Sequence, residues 1–211
     1  MADGAVQRRG DERRAPLVLA SGSPQRRELL ARLGVPFAVR VSGAGEREQG
    51  ADPAAIAVEN ALAKARAAVI DGRSEWVLGC DTIVVLDGVI YGKPSDEAAA
   101  RATMTALGGR THEVLSGVAL LLAAPDGVQE RTALARSRVT FRPVDEQLLD
   151  WYVSTGEWRG RSGGYAIQGA TGARLSLGVE GEEENVVGLP LETVVSLCPE
   201  LFDRGSAPAG A

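Results

Sequence analysis

Residues 76–91, WVLGCDTIVVLDGVIY, decide the fold. The run from Trp76 to Leu86 is β-branched and almost wholly apolar, the strongest strand signal in the chain. Asp87-Gly88 then turns the backbone into VIYGK, the signature of a tight hairpin. Working downstream, Ser95 is positioned to cap a helix that starts at Asp96-Glu97 and stops at Gly108-Gly109. HEVLSGVALLL (112–122), the turn APDG and the alternating stretch 128–142 form a second hairpin. Asp145 opens the helix DEQLLDWYV, on which Trp151 and Tyr152 read as packing residues. Residues 156–174 are Gly-rich and read as a long loop, a length that often carries function. RLSLGV is a late strand, EGEEEN a solvated acidic turn, and PLETVVSLCPELF a closing helix with Pro190 near its first position.

Upstream, LVLA (17–20) is a short apolar strand, SGSP breaks it, and QRRELLARLG is a helix ended by Gly34. PFAVRV is a second strand and 42–52 a polar, Gly-rich loop. From Pro53 to Ile70 the pattern is helical. Val58, Leu62, Ala65 and Val69 fall on one face, with Asn60 and Lys64 on another. Strands and helices alternate but hairpins interrupt them, so the expected architecture is α/β with a mixed sheet. Residues 1–15 and 204–211 read as disordered tails around a single domain over 16–203.

The chain has 211 residues, 45% hydrophobic and 24% charged, with formal net charge −5. That length buries a core without disulfides or structural metal, and that charge argues against a broad nucleic-acid-binding surface. Two cysteines far apart argue against a zinc site or a disulfide scaffold, and a single histidine excludes a His-rich metal site. His112 reads as a satisfied histidine at a sheet end. No run approaches the ~18 apolar residues of a membrane span, and the N-terminal residues lack a signal-peptide core. No membrane contact and a cytoplasmic setting are expected.

Four segments could carry chemistry. SGSPQRREL puts Arg26 and Arg27 in the first turn of a helix, where backbone N–H groups attract anions and guanidinium forks suit phosphate oxygens. Asp81 is a carboxylate in an apolar strand, costly unless paired or used. Lys93 in YGKP returns toward that strand from the hairpin. Gln168 in RSGGYAIQG is displayed between glycines.

Together these segments resemble the Maf family of nucleoside triphosphate pyrophosphatases. LVLASGSPQRRELLARLGVPF, LGCDTIVVLDGVIYGKP, LGGRTHEVLSGVAL, YVSTGEW, GYAIQG and NVVGLPLETV match its blocks in order over roughly residues 17–202. The resemblance implies a twisted mixed sheet with flanking helices and two lobes around a central cleft, similar to inosine triphosphate pyrophosphatases. It implies cleavage of a nucleoside triphosphate into monophosphate and pyrophosphate, a divalent cation (Mg²⁺ or Mn²⁺) and a homodimer. By resemblance Asp81 is the base, in a block where Cys80 replaces the usual Ala. Arg26, Lys64 and Lys93 fall on the phosphate-binding Arg and Lys positions. Of an early acidic pair only Glu46 remains, because Gly45 occupies the other place. Glu46 or Asp81, or both, with phosphate oxygens would then hold the metal, and Glu46, Asp81 and Lys93 form the catalytic set. Arg161 stands where the family has a Lys.

Substrate choice in the family tracks three positions, occupied here by Gln25, Thr82 and Gln168. The dTTP/UTP subgroup has Arg, Thr and Gln there; the 7-methyl-GTP subgroup has Trp, Gln and Glu. A Gln both donates and accepts, which suits the O4 and N3–H edge shared by uracil and thymine. The expectation is therefore a dTTP/UTP pyrophosphatase. The alternatives are a 7-methyl-GTP or broad-specificity enzyme of the same family, and a nucleotide-sensing regulator of cell division without turnover.

Overall fold

The computed structural model describes residues 15–202 apart from Asp126; the tails expected at 1–15 and 204–211 lie outside them, save Ala15. In chain order, β1 (Leu17–Leu19) leads into α1 (Pro24–Arg32), β2 (Phe37–Val39), α2 (Pro53–Ala68) and β3 (Glu75–Leu86). Then come β4 (Val89–Tyr91), α3 (Glu97–Leu107), β5 (Thr111–Ala124), β6 (Gly127–Phe141) and α4 (Glu146–Thr155). A 3-10 turn (Ser162–Gly164), α5 (Ala170–Leu175), β7 (Ser176–Glu180), α6 (Glu183–Val187), α7 (Leu191–Leu197) and α8 (Pro199–Phe202) complete the chain.

Local chemistry sets most boundaries. Asp52 and Asp145 cap α2 and α4 through their carboxylates. Asp87 and Gly88 both take positive φ (51° and 78°), which closes the β3–β4 hairpin. Four segments differ from the sequence reading. Asp96, not Ser95, caps α3: its carboxylate accepts from the Ala99 N–H while Ser95 donates to it. The stretch 156–174 holds a 3-10 turn and most of α5, and the acidic EGEEEN contains the start of α6. The closing helix breaks at Cys198, because Pro199 disfavours helical backbone in the residue before it.

Among the described residues the strands form one seven-stranded sheet ordered β2-β1-β3-β5-β6-β7, with β4 added on β3. The β2–β1–β3 part is parallel and the rest antiparallel. β1 pairs with Trp76–Leu78 and β4 with Val84–Leu86. Between them, 79–83 of β3 has β5 on one side and none of these strands on the other, which leaves a notch in the sheet. One face carries α1, α7 and α8 over Leu17, Leu19, Trp76 and Leu78 at one end. Residues from α3 and α4, including Met104, Leu107 and Leu149, cover Val84, Leu86 and Phe141 at the other. These are the two lobes.

The opposite face is covered by α2, and here the expected helix face is corrected. Its buried residues are Ile56, Ala57, Asn60, Ala61, Lys64, Ala65 and Ala68. Val58, Leu62 and Val69 are only half-buried. The largest apolar residues misled the reading because contact here is made by the smallest. A Cβ on Gly79 would stand 2.2 Å from the Ala61 carbonyl, and one on Gly117 2.1 Å from that of Ala57. Helix backbone lies directly on sheet backbone, and Asn60 and Lys64 are carried inward with it.

His112, at the start of β5, is buried with its ring edge-on to Phe141 and Tyr165. Its Nε2 bonds the Tyr165 hydroxyl at 2.8 Å, while Nδ1 has no partner among the described residues. The histidine expected to be satisfied is half-satisfied, and burial lowers its pKa from 6.5 to about 4.

Two outcomes follow from this packing. Gly117→Ala should destabilise by on the order of 2 kcal/mol or more, since helix backbone must move, whereas Gly178→Ala, where a Cβ meets nothing within 4 Å, should not; thermal melts of both compare them. Unfolded His112 takes up a proton near 6.5 and folded His112 only near 4, so its contribution is full above pH 6.5 and falls as pH drops toward 4. The loss is on the order of 3 kcal/mol. Denaturant titrations from pH 7.5 to 4 should show wild type losing more stability than His112→Gln over that window.

Candidate active site

The notch opens into a cleft of about 660 Å³, a size suited to a small-molecule ligand. Its wall includes all eight residues singled out from the sequence: Gln25, Arg26, Glu46, Lys64, Asp81, Thr82, Lys93 and Gln168. They come from the first turn of α1, the loop before α2, α2 itself, β3, the segment after β4 and the Gly-rich segment after α4. Consecutive β3 residues point to opposite faces, so Asp81 and Thr82 divide the site in two.

On the α2 face, Asp81 is buried and accepts from Lys64 Nζ at 2.5 Å and from Asn60 Nδ2 at 2.8 Å. Lys64 Nζ also reaches Glu46 Oε1 at 2.6 Å, and Lys93 reaches Glu46 Oε2 at 3.3 Å. Lys93 thus approaches Asp81 through Glu46 and Lys64 rather than by a direct bond. Burial pushes the Glu46 carboxyl up, but hydrogen bonds and charge from Lys64, with help from Lys93, hold it below its ordinary value. The sequence reading missed Asn60 as a site residue. Its amide clamps Asp81 and both donates to and accepts from the Arg47 backbone at 2.9 Å, which fixes the loop carrying Glu46. The available signal was the polar pair Asn60 and Lys64 spaced four apart in an alanine-rich helix.

On the other face, Arg26 donates from Nε to the Gly188 carbonyl (2.9 Å), from Nη1 to Ser21 Oγ (3.3 Å) and from Nη2 to Thr82 Oγ1 (3.3 Å). Gln25 lies one turn position earlier, and its Oε1 accepts from Ser23 Oγ. Gln168 stands exposed on the rim. Two and three residues beyond it, the Ala170 and Thr171 N–H groups donate to the Glu157 carboxylate at 2.8 and 2.9 Å. Burial pushes Glu157 up, yet the Thr171 and Ala170 hydrogen bonds and the Arg161 charge hold it low. Arg161 itself donates to the Glu157 carbonyl. Cys80 faces away from the α2 side, its thiol pushed up by burial.

Among the described residues there is no group of three or more His, Cys, Asp or Glu that could hold a metal ion. Glu46 and Asp81, bridged by Lys64, offer two hard carboxylates. That donor set fits a cation which takes its remaining ligands from substrate phosphates and water, as Mg²⁺ does.

A family model described as Maf-like protein matches residues 16–201. The chain is 48% identical over 184 residues to the dTTP/UTP pyrophosphatase of Moorella thermoacetica, covering 86% of this chain and 92% of that one. It is 45% identical over 183 residues to the dTTP/UTP pyrophosphatase of Myxococcus xanthus, at 86% and 90% coverage. It belongs to the Maf family. Among solved structures, the Staphylococcus aureus Ham1 protein aligns over 60% of this chain and 71% of that one with 17% identity and a TM-score of 0.42. Among the described residues no helix is long and apolar enough to cross a membrane.

Removing one partner of a buried ion pair strands the other. Lys64→Met should therefore cost about 3 kcal/mol at neutral pH, and adding Asp81→Asn in the same chain should recover most of it. Equilibrium unfolding of the single and double variants measures both.

Proposed function

We propose that this chain is a nucleoside triphosphate pyrophosphatase that cleaves dTTP and UTP to the nucleoside monophosphate and pyrophosphate. The observation that carries the reading is the Asp81 carboxylate, clamped by Lys64 and Asn60 at the wall of a cleft where cations converge from separate segments. The names of the relatives support the same reading.

In this mechanism Arg26, Lys64 and Lys93 bind the triphosphate and stabilise the charge that grows on the pyrophosphate leaving group. Asp81 orients a water toward the α-phosphorus and takes its proton, while the bond from the α-phosphorus to the bridging oxygen breaks. A divalent cation held by Glu46, Asp81 and phosphate oxygens would supply further charge neutralisation. The cations come from the first turn of α1, from α2 and from the segment after β4, and no GxxxxGK[ST] loop gathers them around a γ-phosphate. In this reading Gln168, exposed on the rim, meets the polar edge of the base, where uracil and thymine present an acceptor at O4 and a donor at N3. Gln25 leaves the site without the guanidinium of the dTTP/UTP subgroup, so selectivity should be looser.

With UTP and Mg²⁺ the protein should release pyrophosphate, and in ¹⁸O-labelled water the label should enter UMP. Label in orthophosphate with a diphosphate product would sink the assignment. Asp81→Asn should lower kcat by about 10²–10⁴-fold while UTP still binds. A wild-type preference for 7-methyl-GTP over UTP in kcat/KM would remove Gln168 as the reader of the base.

A further inference from the structure

Thr82 stands at one of the three positions tied above to base choice, yet its hydroxyl is committed inside the protein. Its neighbours are Arg26 Nη2 at 3.3 Å, Ser116 Oγ at 2.8 Å and the Gly188 carbonyl at 3.3 Å. A hydroxyl has one proton and two lone pairs. The guanidinium can only donate, so it takes one lone pair. The carbonyl can only accept, so it draws the proton. Ser116 then donates to the second lone pair. If the short Ser116 bond runs the other way, the proton still stays within the protein. Neither arrangement leaves the Thr82 proton to report on a base.

Ser116 is fully buried and directly opposite Thr82 in the β3–β5 register. It has no access to the cleft, and its hydroxyl meets that of Thr82. The Gly188 carbonyl gathers the same group, accepting from Arg26 Nε, Thr82 Oγ1 and, at 3.4 Å, the Cys80 thiol. Gly188 sits at φ 133°, a backbone conformation in which a side chain would be strained. Among the described residues Ser21, Thr82 and Gly188 thus engage three of the five N–H groups of Arg26, and two remain for a ligand.

We propose that Thr82 and Ser116 are positioning residues that aim the free N–H groups of Arg26 at substrate phosphate, and that Thr82 acts on every substrate alike rather than reading the base. This rests on the cleft being a triphosphate site. Binding of inorganic pyrophosphate, a probe with no base, tests it whether or not turnover occurs.

Calorimetric titration of pyrophosphate with Mg²⁺ should show on the order of tenfold weaker binding in Thr82→Val. Ser116→Ala should move the same way, and Thr82→Ser, which keeps the hydroxyl, should stay near wild type. In an Arg26→Ala background, Thr82→Val should have no further effect. Kinetically, Thr82→Val should lower kcat/KM for UTP, CTP and GTP by a common factor. The proposal is overturned if Thr82→Val leaves pyrophosphate binding intact, if its loss adds fully to that of Arg26→Ala, or if it spares GTP while impairing UTP. Unchanged pyrophosphate binding in Arg26→Ala would also overturn it. Wild type that binds pyrophosphate but turns over no nucleotide would sink the enzymatic assignment alone. Should Thr82→Val not fold, Ser116→Ala and Thr82→Ser decide the same question.

Discussion

The site depends on how closely α2 lies on the sheet. Gly79 and Gly117 have no side chain where the Ala61 and Ala57 carbonyls come down, and Ala57, Ala61 and Ala65 keep the helix surface low. Gly117 is also the cross-strand partner of Asp81. The position beside the carboxylate is therefore empty of side chain, and the helix can enter it. Lys64 and Asn60 reach Asp81 as a consequence of that approach. A larger residue at either glycine would lift the helix and separate charges whose burial is tolerable only while they are paired. Packing and chemistry are one constraint here, met by the smallest residues in the core.

A second constraint is the interrupted edge of β3. β1 pairs with its first part and β4 with its last, leaving 79–83 at the cleft. Alternation along the strand then sends Asp81 to the carboxylate–ammonium cluster under α2 and Thr82 to the guanidinium on the other face. One strand thus presents two chemically distinct walls within a residue of each other. Neither wall is built from β3 alone. Gly188, between α6 and α7, orients Arg26, and Arg47, in the loop before α2, is held by Asn60. The Gly-rich segment after α4 is tied to β3 by Ser162 Oγ donating to the Thr82 carbonyl at 3.0 Å.

The strands, the longer helices, the mixed sheet and the hairpins were legible in the sequence because periodicity and Asp-Gly turns act over a few residues; the short helices α5 and α6, which lack such periodicity, were not. Asp81, Arg26 and Lys93 were legible too, because a carboxylate in an apolar strand, arginines at a helix start and a lysine after a hairpin are conspicuous by chemistry, whereas Glu46, Lys64, Gln25 and Thr82 stood out only through the resemblance to the family. Tertiary structure alone decided which face of α2 is buried. Helix-face reading weighs side-chain size, and this face is chosen by backbone approach to Gly79 and Gly117, far away in sequence. For the same reason Asn60 joined the site only in three dimensions, and Lys93 turned out to reach Asp81 through Glu46 and Lys64. Ser116 was hidden in a strand whose pattern marks it only as buried. What the chain carries by itself is the identity of each polar group. What each group is bonded to, and so whether Thr82 faces a base or an arginine, was set by contacts across the whole fold, which no local pattern encodes.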